Sequence, residues 1–167
     1  MSFWFRNLTS IMSLFAVVGC AMPPKTVEEF RKTAVERKGQ KTITIDAPLK
    51  TVVSRISSHA KQCGNFGIKE SRREINGPGG SSFTENWSTR WTKRKNGHPT
   101  FLVTMDSKQF INRQEGGFYY HVIDLEPKGS KTVATLYDLN HSFLPEHNKE
   151  YSAVVKGQKA ICHFKGK

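Results

Sequence analysis

The sequence predicts an α+β domain in which an antiparallel sheet packs on a long C-terminal helix, with an extra N-terminal helix. Three observations predict it. Leu49, Val52, Val53, Ile56, Ala60 and Cys63 form an apolar stripe at helical spacing. Two turn signals, Asn96-Gly97 and Lys128-Gly129-Ser130, each stand between alternating segments and mark antiparallel hairpins. A segment opened by Pro145 and running to about Ala160 brings Tyr151, Val154 and Val155 to one side, and Gly157 weakens it near its end.

The elements follow in order. Thr26 and Glu29 have capping-box spacing, and Val27, Phe30 and Ala34 share a face, so a helix opens at Thr26 and ends near Lys38-Gly39. Lys41 to Asp46 alternates, with Ile43 and Ile45 on one side, and reads as a strand. Asp46-Ala47-Pro48 starts the striped helix, which Gly64 ends. Gly67 to Ile75 holds a strand, and Gly77 to Ser82 is a loop. Phe83, Trp87 and Trp91 recur every four residues among Thr, Ser and Asn, which favours a strand over a helix. Thr100 to Met105 returns from the Asn96-Gly97 turn, and Gln109 to Arg113 extends it or adds a strand. Phe118 to Leu125 and Thr132 to Tyr137 make the second hairpin.

The segment before these elements has another purpose. Met1 to Asn7 carries Arg6 and no acidic residue, and Leu8 to Val18 is mostly apolar and too short to span a bilayer as a helix. Val17-Val18-Gly19-Cys20 then resembles the lipobox of a bacterial lipoprotein. The resemblance implies residues 1–19 as a signal peptide and Cys20 as the acylated first residue of the mature chain. Residues 20–25 are then a tether and 26–167 one domain. Ala21 in place of aspartate implies the outer membrane, with the domain facing the periplasm. Palmitate-class chains on Cys20 would supply membrane attachment, each buried methylene contributing roughly 0.8 kcal/mol.

The strand Thr42 to Ile45, the Asp46-Ala47-Pro48 start and the helix after it also resemble the opening of helix-grip domains. These include the START-like lipid-binding superfamily and small domains of outer-membrane lipoproteins. The mature chain is similar to uncharacterised bacterial lipoproteins with one cysteine late in an early helix and another near the C-terminus. Fold resemblance implies an architecture and carries no function with it.

The chain has 26 basic and 14 acidic residues, a net charge of +12. In an envelope setting the available anions are lipid head groups, lipopolysaccharide phosphates, peptidoglycan carboxylates and acidic proteins; nucleic acid is not an expected partner. A charge of this size favours fast encounter with anions. With Cys20 acylated, Cys63 and Cys162 are an even pair in an oxidising compartment and read as one disulfide.

No catalytic constellation stands out. No serine has a GxSxG context, and Gly77-Pro78-Gly79-Gly80 lacks the lysine and following helix of a phosphate loop. Six histidines lack zinc-helix spacing, and His141 and His147 near Glu146 and Glu150 read as surface residues, so neither metal nor cofactor is expected. The reading is non-enzymatic. Arg90, Lys93, Arg94 and Lys95 crowd the first hairpin, and Arg72 and Arg73 are expected to join them as a surface for an anion or partner. Phe83, Trp87, Trp91, Phe118 and Tyr120 are the candidates to line an apolar cavity. The expected role is a binding or accessory module for an envelope protein or anionic envelope polymer. Two alternatives are a carrier of a lipid-like ligand and an immunity lipoprotein against a periplasmic toxin.

Overall fold

The computed structural model describes residues 23–63, 66–72, 82–107, 117–139 and 145–162. The expected lipobox, Cys20 and the strand at Gln109 to Arg113 lie outside these residues. Helix α1 spans Val27–Glu36, strand β1 Gln40–Ile45, helix α2 Leu49–Cys63 and strand β2 Phe66–Arg72. Strands β3 (Ser82–Lys93), β4 (Pro99–Ser107), β5 (Phe118–Lys128) and β6 (Lys131–Asp138) follow, and helix α3 covers Pro145–Lys156.

All strands join one antiparallel sheet in the order β1-β6-β5-β4-β3-β2. The chain thus starts at one edge, crosses a face in α2, and returns from the opposite edge as a meander. The dimensions suit this path. The 15 residues of α2 give a helix of about 22 Å, and the five inter-strand steps make about 24 Å.

The two faces of the sheet bury different sets. On one, Ile45, Trp87, Phe101, Val103, Ile123, Leu125 and Ala134 pack against Val52, Ile56 and Ala60 of α2 and Tyr151, Val154 and Val155 of α3. On the other, Leu102, Val122 and Leu139 pack against Phe30 and Ala34 of α1. The alternation along β4 and β5 supplies both, since paired residues Phe101 and Ile123 face α2 while Leu102 and Val122 face α1. Thr26 caps α1 as its spacing predicts: its Oγ1 accepts from the Glu29 amide at 3.1 Å, and Glu29 Oε2 accepts from the Lys25 amide at 2.8 Å. Gly39 then lets β1 approach β6 closely, where a Cβ at this position would stand 1.8 Å from the Asp138 carbonyl oxygen.

The expected fold class, an antiparallel sheet gripping a long C-terminal helix, is corrected. Helix α3 has only 12 residues. Gly157 stops it in the left-handed region at φ 76°. Its amide donates to Val154 O and that of Gln158 to Ala153 O, both at 2.9 Å, which satisfies the last carbonyls and ends the helix before Ala160. The longest helix among the described residues is α2, and it shares its face of the sheet with α3. The described residues form a six-stranded antiparallel sheet with three short helices on its two faces.

Candidate functional site

The first hairpin turns as its sequence requires. The Gly97 amide donates to Arg94 O at 2.9 Å and the His98 amide to Asn96 Oδ1 at 3.1 Å, while Gly97 takes φ 79°. Lys93 pairs with Pro99, which places the tip at the C-terminal end of β3. The meander brings a second tip to the same end, because Lys128 pairs with Lys131 across Gly129-Ser130 and Thr100 pairs with Asp124. Lys93, Lys95, Lys128 and Lys131 are all exposed there. Strands β3 and β6 are three steps apart in the sheet, about 15 Å at 4.8 Å per step. Among the described residues, the acidic partners at this end are Asp46, 3.6 Å from Lys131 Nζ, and Glu126, held by Arg94.

The expected basic patch is rearranged. Arg90 and Lys93 are exposed on β3, and Lys95 is exposed in the turn. Arg94 instead turns inward over the α1 face of the sheet, donating from Nη1 to Glu126 Oε1 at 2.8 Å and from Nη2 to the Leu125 carbonyl at 3.1 Å. Its Nε is 3.9 Å from buried Asp124 Oδ1. Arg72 pairs with Ser82 at the other end of β3, about 36 Å from the tip at 3.3 Å per residue. Its side chain and all of Arg73 lie outside the described residues. The grouping of Arg72 and Arg94 with the tip lysines is therefore corrected. Lys128 and Lys131 take their place, and the lysines flanking Gly129-Ser130 were the available signal.

The expected cavity lining is largely core. Trp87 is buried and meets Tyr120 edge to face with ring centres 4.6 Å apart. Trp91 packs on Phe101 at 5.0 Å, and its Nε1 donates to Ser57 Oγ of α2 at 3.1 Å. These rings fill the space between sheet and helices. Phe118 is half-buried, and the Phe83 side chain lies outside the described residues. An open surface pocket of about 420 Å³ lies elsewhere, between Pro23-Pro24-Lys25 and the outer face of α1.

Cys63 and Cys162 lie at disulfide distance, with Cα atoms 5.3 Å apart. Next to them is a group the sequence reading did not assemble. His59 Nδ1 stands 3.7 Å from Cys63 Sγ, and His59 Nε2 is hydrogen-bonded to Glu150 Oε1 of α3. His59 precedes Cys63 by four residues on α2, the spacing that could have revealed the pair. Tyr151 packs edge-on to His59 with ring centres 5.6 Å apart. Burial, followed by the Glu150 charge, raises the Tyr151 hydroxyl well above its ordinary pKa. His141 and His163 lie outside the described residues, as does the His147 side chain.

Comparison of the chain with protein-family models, curated proteins and solved structures finds no match. Among the described residues, no helix is long and apolar enough to cross a membrane.

Proposed function

We propose that this protein is a bacterial envelope lipoprotein, acylated at Cys20, whose domain works without catalysis as a binding module for an anionic envelope polymer. The observation that carries the binding role is the gathering of Lys93, Lys95, Lys128 and Lys131 at one end of the sheet by two separate hairpins. Each lysine is a mobile point charge on a flexible stem, suited to repeated phosphates or carboxylates rather than to one planar group. A net charge of +12 adds long-range attraction that salt screens. The lipobox-like Val17-Val18-Gly19-Cys20 supports envelope attachment, and Ala21 supports the outer membrane with the domain facing the periplasm.

The binding role is tested with the purified full chain, using lipopolysaccharide and peptidoglycan fragments as separate probes over a range of ionic strength. Binding that weakens steeply with salt is expected. A variant carrying Lys93→Glu, Lys95→Glu, Lys128→Glu and Lys131→Glu should keep its circular dichroism and lose binding. Capture unchanged by these four reversals overturns the reading. Fractionation of cells expressing Cys20→Ser tests the anchor: the variant should leave the membrane fraction, and retention there overturns acylation at Cys20.

A further inference from the structure

The buried end of α2 carries chemistry that the hairpin surface does not use. His59 and Cys63 lie one helical turn apart on the same face. Glu150 reaches them from α3, and Cys162 meets Cys63 just beyond that helix. The donor atoms of His59, Cys63 and Glu150 lie within 4.8 Å of one another. All three residues are buried, at 9%, 8% and 5% exposure. An imidazole and two sulfurs make a donor set that a borderline-soft divalent ion selects, and the Glu150 carboxylate is hydrogen-bonded to the imidazole.

We propose that reduction of the Cys63–Cys162 pair converts this cluster into a Zn²⁺ site. His59 Nδ1, Cys63 Sγ and Cys162 Sγ are the ligands, and Glu150 orients the imidazole. The distances favour this assignment. In a tetrahedral site with Zn–N of about 2.0 Å and Zn–S of about 2.3 Å, a nitrogen and a sulfur stand about 3.5 Å apart and two sulfurs about 3.8 Å. The His59 Nδ1 to Cys63 Sγ distance is already 3.7 Å. Breaking the covalent bond lets the sulfurs part to van der Waals contact, which is close to the second distance. The hydrogen bond between His59 Nε2 and Glu150 places the ring proton toward the carboxylate and leaves Nδ1 unprotonated, 3.7 Å from Cys63 Sγ, so that a carboxylate can support a zinc-bound histidine.

The reaction balances. In exchange with a dithiol, two electrons enter the Cys63–Cys162 bond, the dithiol becomes a disulfide, and its two protons pass to the cysteine sulfurs. Zn²⁺ then displaces both protons, so two thiolates cancel its charge in the buried site and water takes the fourth position. This inference does not rest on the hairpin reading.

The test uses the full chain reduced with a water-soluble phosphine, which takes up oxygen from water as it delivers two electrons and two protons to the sulfurs. Co²⁺ serves as the probe. One equivalent should give the visible bands of tetrahedral, thiolate-bound cobalt, and equimolar Zn²⁺ should bleach them. The oxidised chain should give none. Glu150→Gln should retain the bands and weaken zinc affinity about 10–100-fold, whereas Cys162→Ser and His59→Gln should lose or shift them. Circular dichroism is read in parallel. If the reduced chain unfolds without metal, zinc should restore its helical signal. A reduced chain that gives no bands and no recovery overturns the proposal, as do bands that are the same in Cys162→Ser or His59→Gln.

Discussion

Arg31 on α1 grips Asp124 on β5 through two hydrogen bonds, Nε to Oδ2 at 3.0 Å and Nη2 to Oδ1 at 2.8 Å. Asp124 is 3% exposed, and Thr100 Oγ1 also donates to it at 2.6 Å. The pair ties α1 to the centre of the sheet through a planar fork that lysine cannot reproduce. Removing one partner of a buried pair strands the other charge, a loss typically of 3–5 kcal/mol. Arg94 stands 3.9 Å from the same carboxylate and offsets part of this, so Arg31→Ala should cost about 3 kcal/mol. Urea unfolding measures it, and pairing Arg31→Met with Asp124→Leu should recover most of the loss. A loss below about 1 kcal/mol would show that the pair behaves like a surface contact.

Gly39→Ala should be among the costliest small changes in the chain. The added methyl would stand 1.8 Å from Asp138 O, which is backbone of β6 and has no rotamer to change. Gly39 also accepts from the Asp138 amide at 2.9 Å and donates to Ala34 O at 2.7 Å, so it cannot move without breaking both bonds. A loss of about 3 kcal/mol is expected by overpacking. A melting temperature equal to that of the parent would refute the close approach.

Linking Cys63 to Cys162 closes a loop with a sequence separation of 99. The chain-entropy model assigns such a loop about 4.7 kcal/mol of stability, gained by restricting the unfolded state. Cys162→Ser in metal-free buffer should lose most of it. Unfolding curves of parent and variant that coincide under oxidising conditions would show that the bond does not form in solution.

Tyr151 gives the protein an alkaline limit. The residue is 3% exposed, and the ionisation of its hydroxyl is pushed up by burial and by Glu150. Tyr137 is raised as well, chiefly by burial and then by Asp124. A raised folded-state value means that the unfolded tyrosine gives up its proton first. The stabilisation is therefore complete below about pH 10 and is lost as pH climbs from there toward the folded-state value. Thermal melts should be flat with pH below that point, as far as these tyrosines act, and fall above it. Tyr151→Phe keeps the ring that packs on His59, Phe101 and His121 and should flatten the fall. An unchanged alkaline slope in that variant would assign it elsewhere.

Individual elements were legible where a local rule fixes them. Thr26 and Glu29 mark the start of α1, the stripe from Leu49 to Cys63 is α2, and Asn96-Gly97 and Gly129-Ser130 are turns of two hairpins. Each depends on residues a few positions apart, so periodicity and turn chemistry suffice to read it. The site was less legible. Alternation put Arg90 and Arg94 on the face opposite Trp87 and Trp91, but it gave no sign that Arg94 would turn to Glu126 and Leu125 rather than to solvent.

By itself the sequence determined the short-range elements, the strong basic charge and the even pair of domain cysteines, because these follow from composition and from spacing within a turn or two. Tertiary structure alone decided the rest. It set α2 across the sheet, because β1 joins one edge and β2 the other. It also brought the Lys93 and Lys128 hairpins to the same end of the sheet and His59 against Glu150, 91 residues away. Those meetings depend on strand order and helix packing, which local pattern does not encode.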